Sequence, residues 1–150
     1  MKNLYDPAYA SEIRQRIGAL RADATPLWGK MGVEQMVAHC SVGLESATGE
    51  RVIERVLIGR LIGGFVKPLA LGDDKPMKRN SPTAREFIIT DARDLDTERV
   101  RLLALVDKFA AAGPAGCTTT PHAFFGPMTP DEWAILMYKH LDHHLRQFGA

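Results

Sequence analysis

The strongest structural signal in the sequence is the start of its last helical segment, TPDEW at residues 129–133. Thr129 is a good N-cap, Pro130 suits the first helical position, and Glu132 completes a capping box. Apolar residues at helical spacing follow, so the sequence predicts a helix from Pro130 to about Phe148. Such a helix needs partner elements that cover its apolar face.

Three upstream segments show the same helical periodicity. They are predicted over about 7 to 22, after Asp6 as N-cap; from Val33 to near Gly49; and from about Asp94 to Gly113. No convincing pair of strands interrupts them. The sequence therefore predicts an all-α fold, a four-helix bundle formed by residues 1–150 as a single domain.

The connection between the second and third of these helices is unusually long. From Val52 to Val66 it is apolar almost all round, and Pro68 is expected to stop any helix there, so we predict a short, largely covered extra helix. Gly59 and Gly63 permit close helix approach, with packing inside the chain as the preferred interpretation and a homodimer contact as the alternative. The polar stretch that follows is predicted to be a long loop.

Composition excludes several classes of function. With 45% hydrophobic and 25% charged residues the chain is typical of a soluble globular protein. Its 19 Lys+Arg against 18 Asp+Glu give a net charge of +1, which disfavours nucleic-acid binding. No stretch is long and apolar enough for a membrane span or a signal peptide, so we expect a cytoplasmic protein with reduced thiols at Cys40 and Cys117.

Three of the five histidines lie in the segment KHLDHHLRQF of the last helix. Helical phase places His140 and His144 together in the middle of its apolar face, whereas His143 is expected on the flank and Asp142, nearly opposite that face, in solvent. Two buried imidazoles one turn apart are hard to satisfy separately, and a shared metal would satisfy both. A hydrogen-bonded core pair or an exposed helix face are the alternatives.

A metal site needs a third protein ligand, and the candidates are His39, His122 and Cys40. His39 is the natural choice, although it lies roughly 110° from the centre of its own apolar stripe and must reach in from a flank. Cys40 faces the core, where an inert thiol is expected. His122 is a candidate substrate-binding residue, with a surface or packing role as the alternative.

Two long motifs, WGKMGVEQMVAHC at 28–40 and FFGPMTPDEWAILMYKHLDHHLRQFG at 124–149, resemble the DinB-like superfamily, the bacillithiol and mycothiol transferase-like metalloproteins, and within it a branch of unknown function. Its members carry one histidine on the second helix and a His-x-x-x-His pair on the last, followed by an Arg-Gly-Gln-like tail. The resemblance implies His39, His140 and His144 as metal ligands, and of the tail only Gln147 keeps its place. It also implies a DinB/YfiT-like up-down-down-up bundle whose long crossover is residues 50–93.

Two classes of function fit these features. Three imidazoles on one divalent ion, zinc or nickel first and iron or manganese as alternatives, leave a coordination position open for water or a thiolate. A hydrolase or thiol S-transferase acting on a small molecule would follow, and a low-molecular-weight thiol cosubstrate is implied by the resemblance alone. No residue is assigned as catalytic, because Asp142 and Glu34 are poorly placed to serve as a general base. The second class is a non-catalytic bundle, metal-binding or metal-free, that serves as a binding or dimerisation module.

Overall fold

The computed structural model describes residues 1–150 and is built almost entirely from helices. The five α-helices are α1 (Pro7–Gly18), α2 (Val33–Thr48), α3 (Leu57–Leu71), α4 (Leu95–Ala112) and α5 (Pro130–Gln147). Short 3-10 helices lie at Arg85–Phe87 and Gly113–Gly116, and an isolated bridge joins His122 to Gly126. There is no β-strand, so the predicted all-α fold class is confirmed.

The helix ends follow from local capping chemistry. The Thr129 hydroxyl accepts a hydrogen bond from the Glu132 N–H, and the Glu132 carboxylate accepts one from the Thr129 N–H, which starts α5. The Asp94 carboxylate caps α4 by accepting from the Thr97 N–H. Gly49, with φ of 80°, ends α2 in the left-handed conformation that glycine adopts without strain.

The predicted end of the first helix, near residue 22, is wrong because α1 stops at Gly18. The reason is tertiary and could not be read from periodicity. The Arg99 guanidinium on α4 donates hydrogen bonds to the carbonyl oxygens of Gly18 and Leu20, at 2.6 and 2.8 Å. These bonds give the carbonyls at the end of α1 partners outside the helix.

Four of the helices form the bundle. Both α1 and α2 pack against α4 and α5, and the core lies between these four helices. Its largest fully buried side chains include Trp133 on α5 and Phe109 on α4. The segment between α2 and α4 is the long crossover, and it carries α3 and the first 3-10 helix.

The short, covered helix expected in the crossover differs from α3 in both length and exposure. Helix α3 runs through Pro68 to Leu71, and most of its large apolar side chains face outward. Beyond Pro68, Lys139 Nζ donates hydrogen bonds to the Ala70 and Asp73 carbonyls and so holds the last turn. None of the five helices combines the length and the apolar character needed to cross a membrane.

Candidate metal centre

Three histidines meet where α2 packs against α5. His39 lies near the middle of α2, and His140 and His144 lie one turn apart on α5. Their ring centroids are 4.5 to 4.9 Å apart, and one ring nitrogen from each lies within 4.8 Å of the other two. The structure therefore brings together the three histidines that the sequence singled out, in an arrangement that could hold one metal ion.

Hydrogen bonds at the back of two rings set their protonation. His39 Nδ1 lies 2.9 Å from the Phe87 carbonyl oxygen, and His144 Nδ1 lies 2.8 Å from Gln147 Oε1. Both oxygens can only accept, so each Nδ1 carries the proton and each Nε2 keeps its lone pair. Gln147 Nε2 in turn donates to the Trp28 carbonyl oxygen at 2.6 Å, which fixes which end of the amide faces His144. Such outer partners orient the histidines of metal sites in the same way.

The third ring is incompletely satisfied by the protein. His140 Nε2 lies 2.9 Å from His39 Nε2, whereas His140 Nδ1 is buried without a hydrogen-bond partner. Since His39 Nε2 keeps a lone pair, His140 must donate through Nε2 when no ion is bound, which leaves a bare lone pair at Nδ1. Hydrogen bonding within the cluster therefore cannot satisfy every ring nitrogen.

Burial keeps all three imidazoles neutral. His39 and His144 are only 5% and 8% exposed, and His140 is partly buried. Burial lowers the pKa of His39, and it lowers the pKa of His144 to about 3. For His140, burial together with the neighbouring His144 and His39 rings holds the pKa well below its usual range. At neutral pH all three rings are in the form that binds a metal.

Asp142 and His143, expected outside the apolar face of α5, are both buried, so that expectation is wrong. The Asp142 carboxylate accepts hydrogen bonds from Arg16 of α1 and from Arg146, each at 2.8 Å. The His143 ring packs 5.3 Å from the Trp28 ring and 5.0 Å from His144. Helical phase could not show that α1 covers Asp142 and that the loop carrying Trp28 covers His143.

His39, expected at the edge of its helix, is likewise buried. The first 3-10 helix of the crossover lies against α2 there, and the Phe87 ring packs 5.6 Å from His39. The Phe87 carbonyl, as a backbone group, gave no signal in the sequence. Gln147 did give one, because it lies three residues after His144 on the same helix and keeps its place in the motif.

His122 lies outside the three-histidine cluster. Its Nδ1 accepts hydrogen bonds from the N–H groups of Phe124 and Phe125, both at 3.1 Å, and its ring packs against Phe125 and Trp133. Burial lowers its pKa to about 4. These contacts order the loop before α5, and the substrate-binding role of His122 stays a prediction.

Cys40 is fully enclosed in the core, and burial raises the pKa of its thiol. A buried thiol of raised pKa is a poor nucleophile and a poor metal ligand. The expectation of an inert side chain agrees with this placement. The three histidines therefore supply the donor set without help from the neighbouring cysteine.

Residues 8–150 match the model of the DUF1569 family, whose description is a protein of unknown function. No curated protein and no solved structure matches the chain. Because the match covers nearly the whole sequence, the chain belongs to the DUF1569 family.

Proposed function

We propose that this DUF1569 member is a DinB-like metalloprotein in which His39, His140 and His144 bind one divalent cation. The observation that carries the proposal is the pair of outer hydrogen bonds, from His39 to Phe87 and from His144 to Gln147. They leave a lone pair on His39 Nε2, 2.9 Å from His140 Nε2, and another on His144 Nε2, an arrangement that three neutral imidazoles do not need for packing alone.

The donor set favours zinc or nickel, with iron or manganese as alternatives. Imidazole nitrogen suits zinc, nickel and iron, whereas manganese prefers oxygen ligands, and no carboxylate or thiolate belongs to the cluster. Nitrogen ligands at about 2.0–2.1 Å from a tetrahedral ion are separated by roughly 3.4 Å. The distance of 2.9 Å between His39 Nε2 and His140 Nε2 is shorter than this separation, and all three ligand nitrogens lie within 4.8 Å of one another. Small side-chain shifts would complete the site.

Three protein ligands leave a coordination position open, which is typical of catalytic rather than structural zinc. We propose a metal-dependent transferase or hydrolase that acts on a small molecule, with a low-molecular-weight thiol as cosubstrate in the transferase case. The ion would supply Lewis acidity at that position and would favour deprotonation of a water or thiol. Asp142 is bound by two arginines, so we assign it no role as a general base.

A non-catalytic role is the second candidate, and one observation favours it. The hydrogen bond from His39 to Phe87 ties the crossover to α2, so the cluster could serve to hold the crossover in place. In that case the histidines stabilise the bundle, with or without an ion, and the protein functions as a binding module.

Metal analysis of untagged protein tests the proposal. We expect about one ion per chain in the wild type, and loss of that ion in His140→Ala and in His144→Ala. His143→Gln is the matched control, because His143 touches His144 without belonging to the cluster, and it should retain the ion. Wild-type protein that stays free of metal after reconstitution would contradict the site.

Activity is tested separately, by screening thiol-transfer and ester-hydrolysis substrates with the ion that the analysis identifies. Turnover in the wild type and in His143→Gln, with none in His140→Ala, is the expected result. A fully loaded wild type without turnover on either panel would favour the non-catalytic role.

A further inference from the structure

The outward face of α3 carries six of the eleven exposed large hydrophobic side chains of the molecule. We call these six side chains the α3 stripe: Leu57, Ile58, Leu61, Ile62, Phe65 and Leu69. Four of them recur every four residues and are 74% to 81% exposed. A contiguous apolar face of this kind marks an interaction site.

The orientation of α3 is fixed by the opposite face of the helix. Gly59 and Gly63 lie against the backbone of Phe124, where an added Cβ would collide with the Phe124 carbonyl oxygen. Leu71 is buried, and Lys139 Nζ holds the last turn. Helix α3 therefore cannot rotate to bury the stripe against its own chain.

Gly64 distinguishes the stripe from an accidental apolar patch. Unlike Gly59 and Gly63, it has no neighbour within 4 Å of an added Cβ, so nothing in its own chain requires a glycine there. Glycine is unfavourable in a helix interior, and this one lies along the edge of the stripe formed by Leu57 and Leu61. A glycine at that point lets the backbone of another helix approach closely.

We propose that the α3 stripe is the two-fold interface with a second copy of this chain. An antiparallel pair centred near Gly63 places Leu61 against Phe65 of the partner subunit, and Leu57 against Leu69 of the partner subunit. The spacing is symmetric about that centre, as a self-complementary interface requires.

The area of the stripe suits a dimer. Each large apolar side chain removes on the order of 100 Å² from water when it is buried, so six side chains on each copy cover about 1,200 Å² in the pair. This is the lower end of the range for stable interfaces. Helix α3 can therefore mediate a specific dimer without a second contact region.

Charge favours a second copy over a lipid surface. Membrane-bound amphipathic helices carry many free Lys and Arg side chains on their polar face. Helix α3 has only Arg60 and Lys67, and Lys67 Nζ is engaged by the Glu132 carboxylate at 2.9 Å and by the Pro127 carbonyl. The face opposite the stripe packs on protein through Gly59 and Gly63.

Sedimentation equilibrium tests the interface. We expect a wild-type dimer, and a rise of at least about a hundredfold in its dissociation constant in Phe65→Glu. Gly64→Gln should also weaken the dimer, because its side chain fits the single chain but fills the space for the second helix. Val100→Glu on α4 is the matched control, since Val100 is 69% exposed away from the stripe, and it should remain dimeric. Far-UV circular dichroism checks that each variant keeps its helices.

Three results would overturn the proposal. One is a wild type that stays monomeric at about 100 μM. Another is a dimer that Phe65→Glu leaves intact, which would place the interface elsewhere. The third is a monomer that floats with phosphatidylcholine–phosphatidylglycerol vesicles and loses this property in Phe65→Glu, which would assign the stripe to a membrane surface.

Discussion

Helices α3 and α5 are both amphipathic, yet they place their apolar faces in opposite environments. On α5, Trp133 and Leu141 are 1% exposed and belong to the bundle core. On α3, Leu61 and Phe65 are 74% and 81% exposed. Hydrophobic periodicity therefore identifies a helix and its apolar face. Topology decides which element covers that face.

Equivalent leucine truncations should give the largest contrast between the two helices. Leu141→Ala is expected to cost about 2–5 kcal/mol of unfolding free energy, because it leaves a cavity in the core. Leu61→Ala should cost less than about 0.5 kcal/mol within one chain. Urea denaturation in a Phe65→Glu background, where the proposed dimer cannot contribute, measures both changes. Equal losses would show that α3 is covered within its own chain.

Neighbouring glycines on α3 give a second contrast. Gly63→Ala should destabilise the chain by about 1–3 kcal/mol, since the new methyl group collides with the Phe124 carbonyl. Gly64→Ala should stabilise it by about 0.5–1 kcal/mol, since only helix propensity changes at an open position. Thermal unfolding in the same Phe65→Glu background compares them. A gain from both substitutions would contradict the packing of α3 on the loop.

The buried face of α5 also carries the hydrogen bond between His144 and Gln147 that orients one proposed metal ligand. Gln147→Leu removes the oxygen that accepts from His144 Nδ1, so zinc affinity should fall by about ten- to a hundredfold. Gln147→Glu keeps an acceptor there and should remain closer to the wild type. Competition with a chromophoric chelator measures the affinities. Unchanged affinity in Gln147→Leu would show that this hydrogen bond does not orient the ring.

The smallest expected effect concerns the loop before α5, which contacts both helices: His122 packs on Trp133, and the Phe124 backbone lies against α3. The pKa of His122 is about 4 in the folded chain, below the ordinary value of 6.5, so the unfolded chain takes up a proton first as the pH falls. The contribution of His122 to the free energy of unfolding is fully present above about pH 6.5 and is lost as the pH falls toward 4.

Between pH 7 and pH 5.5 the wild type should therefore lose about 1 kcal/mol more than His122→Asn. Asparagine keeps an oxygen that can accept from the N–H groups two and three residues on. Urea denaturation at the two pH values isolates the residue, because the other histidines are common to both proteins. Parallel losses would assign the acid sensitivity to those histidines.

The sequence predicted the parts of the fold that depend on local chemistry. The caps at Asp94 and Thr129 and the glycine at Gly49 placed the ends of α2, α4 and α5 within about two residues, because capping is decided by neighbours in the chain. It failed where distant contacts decide the outcome. Arg99 ends α1 early, and Lys139 helps α3 continue past Pro68.

The residues of the candidate site, too, were predictable only where local sequence decides their position. Helical phase brought His140 and His144 to one face, and the motif resemblance supplied His39. Phase alone misplaced Asp142 and His143, because a helix has no signal for the elements that cover its flanks. The Phe87 carbonyl could not be found in advance, since every residue carries the same backbone oxygen.

Zinc K-edge X-ray absorption on untagged protein loaded with one equivalent of zinc tests directly whether His39, His140 and His144 bind the ion. We expect an inner shell with three imidazole nitrogens at about 2.0–2.1 Å, completed by an exchangeable oxygen ligand. His140→Ala should lose this shell. A shell dominated by sulfur at about 2.3 Å, or one of oxygen alone that His140→Ala leaves unchanged, would contradict a centre built from His39, His140 and His144.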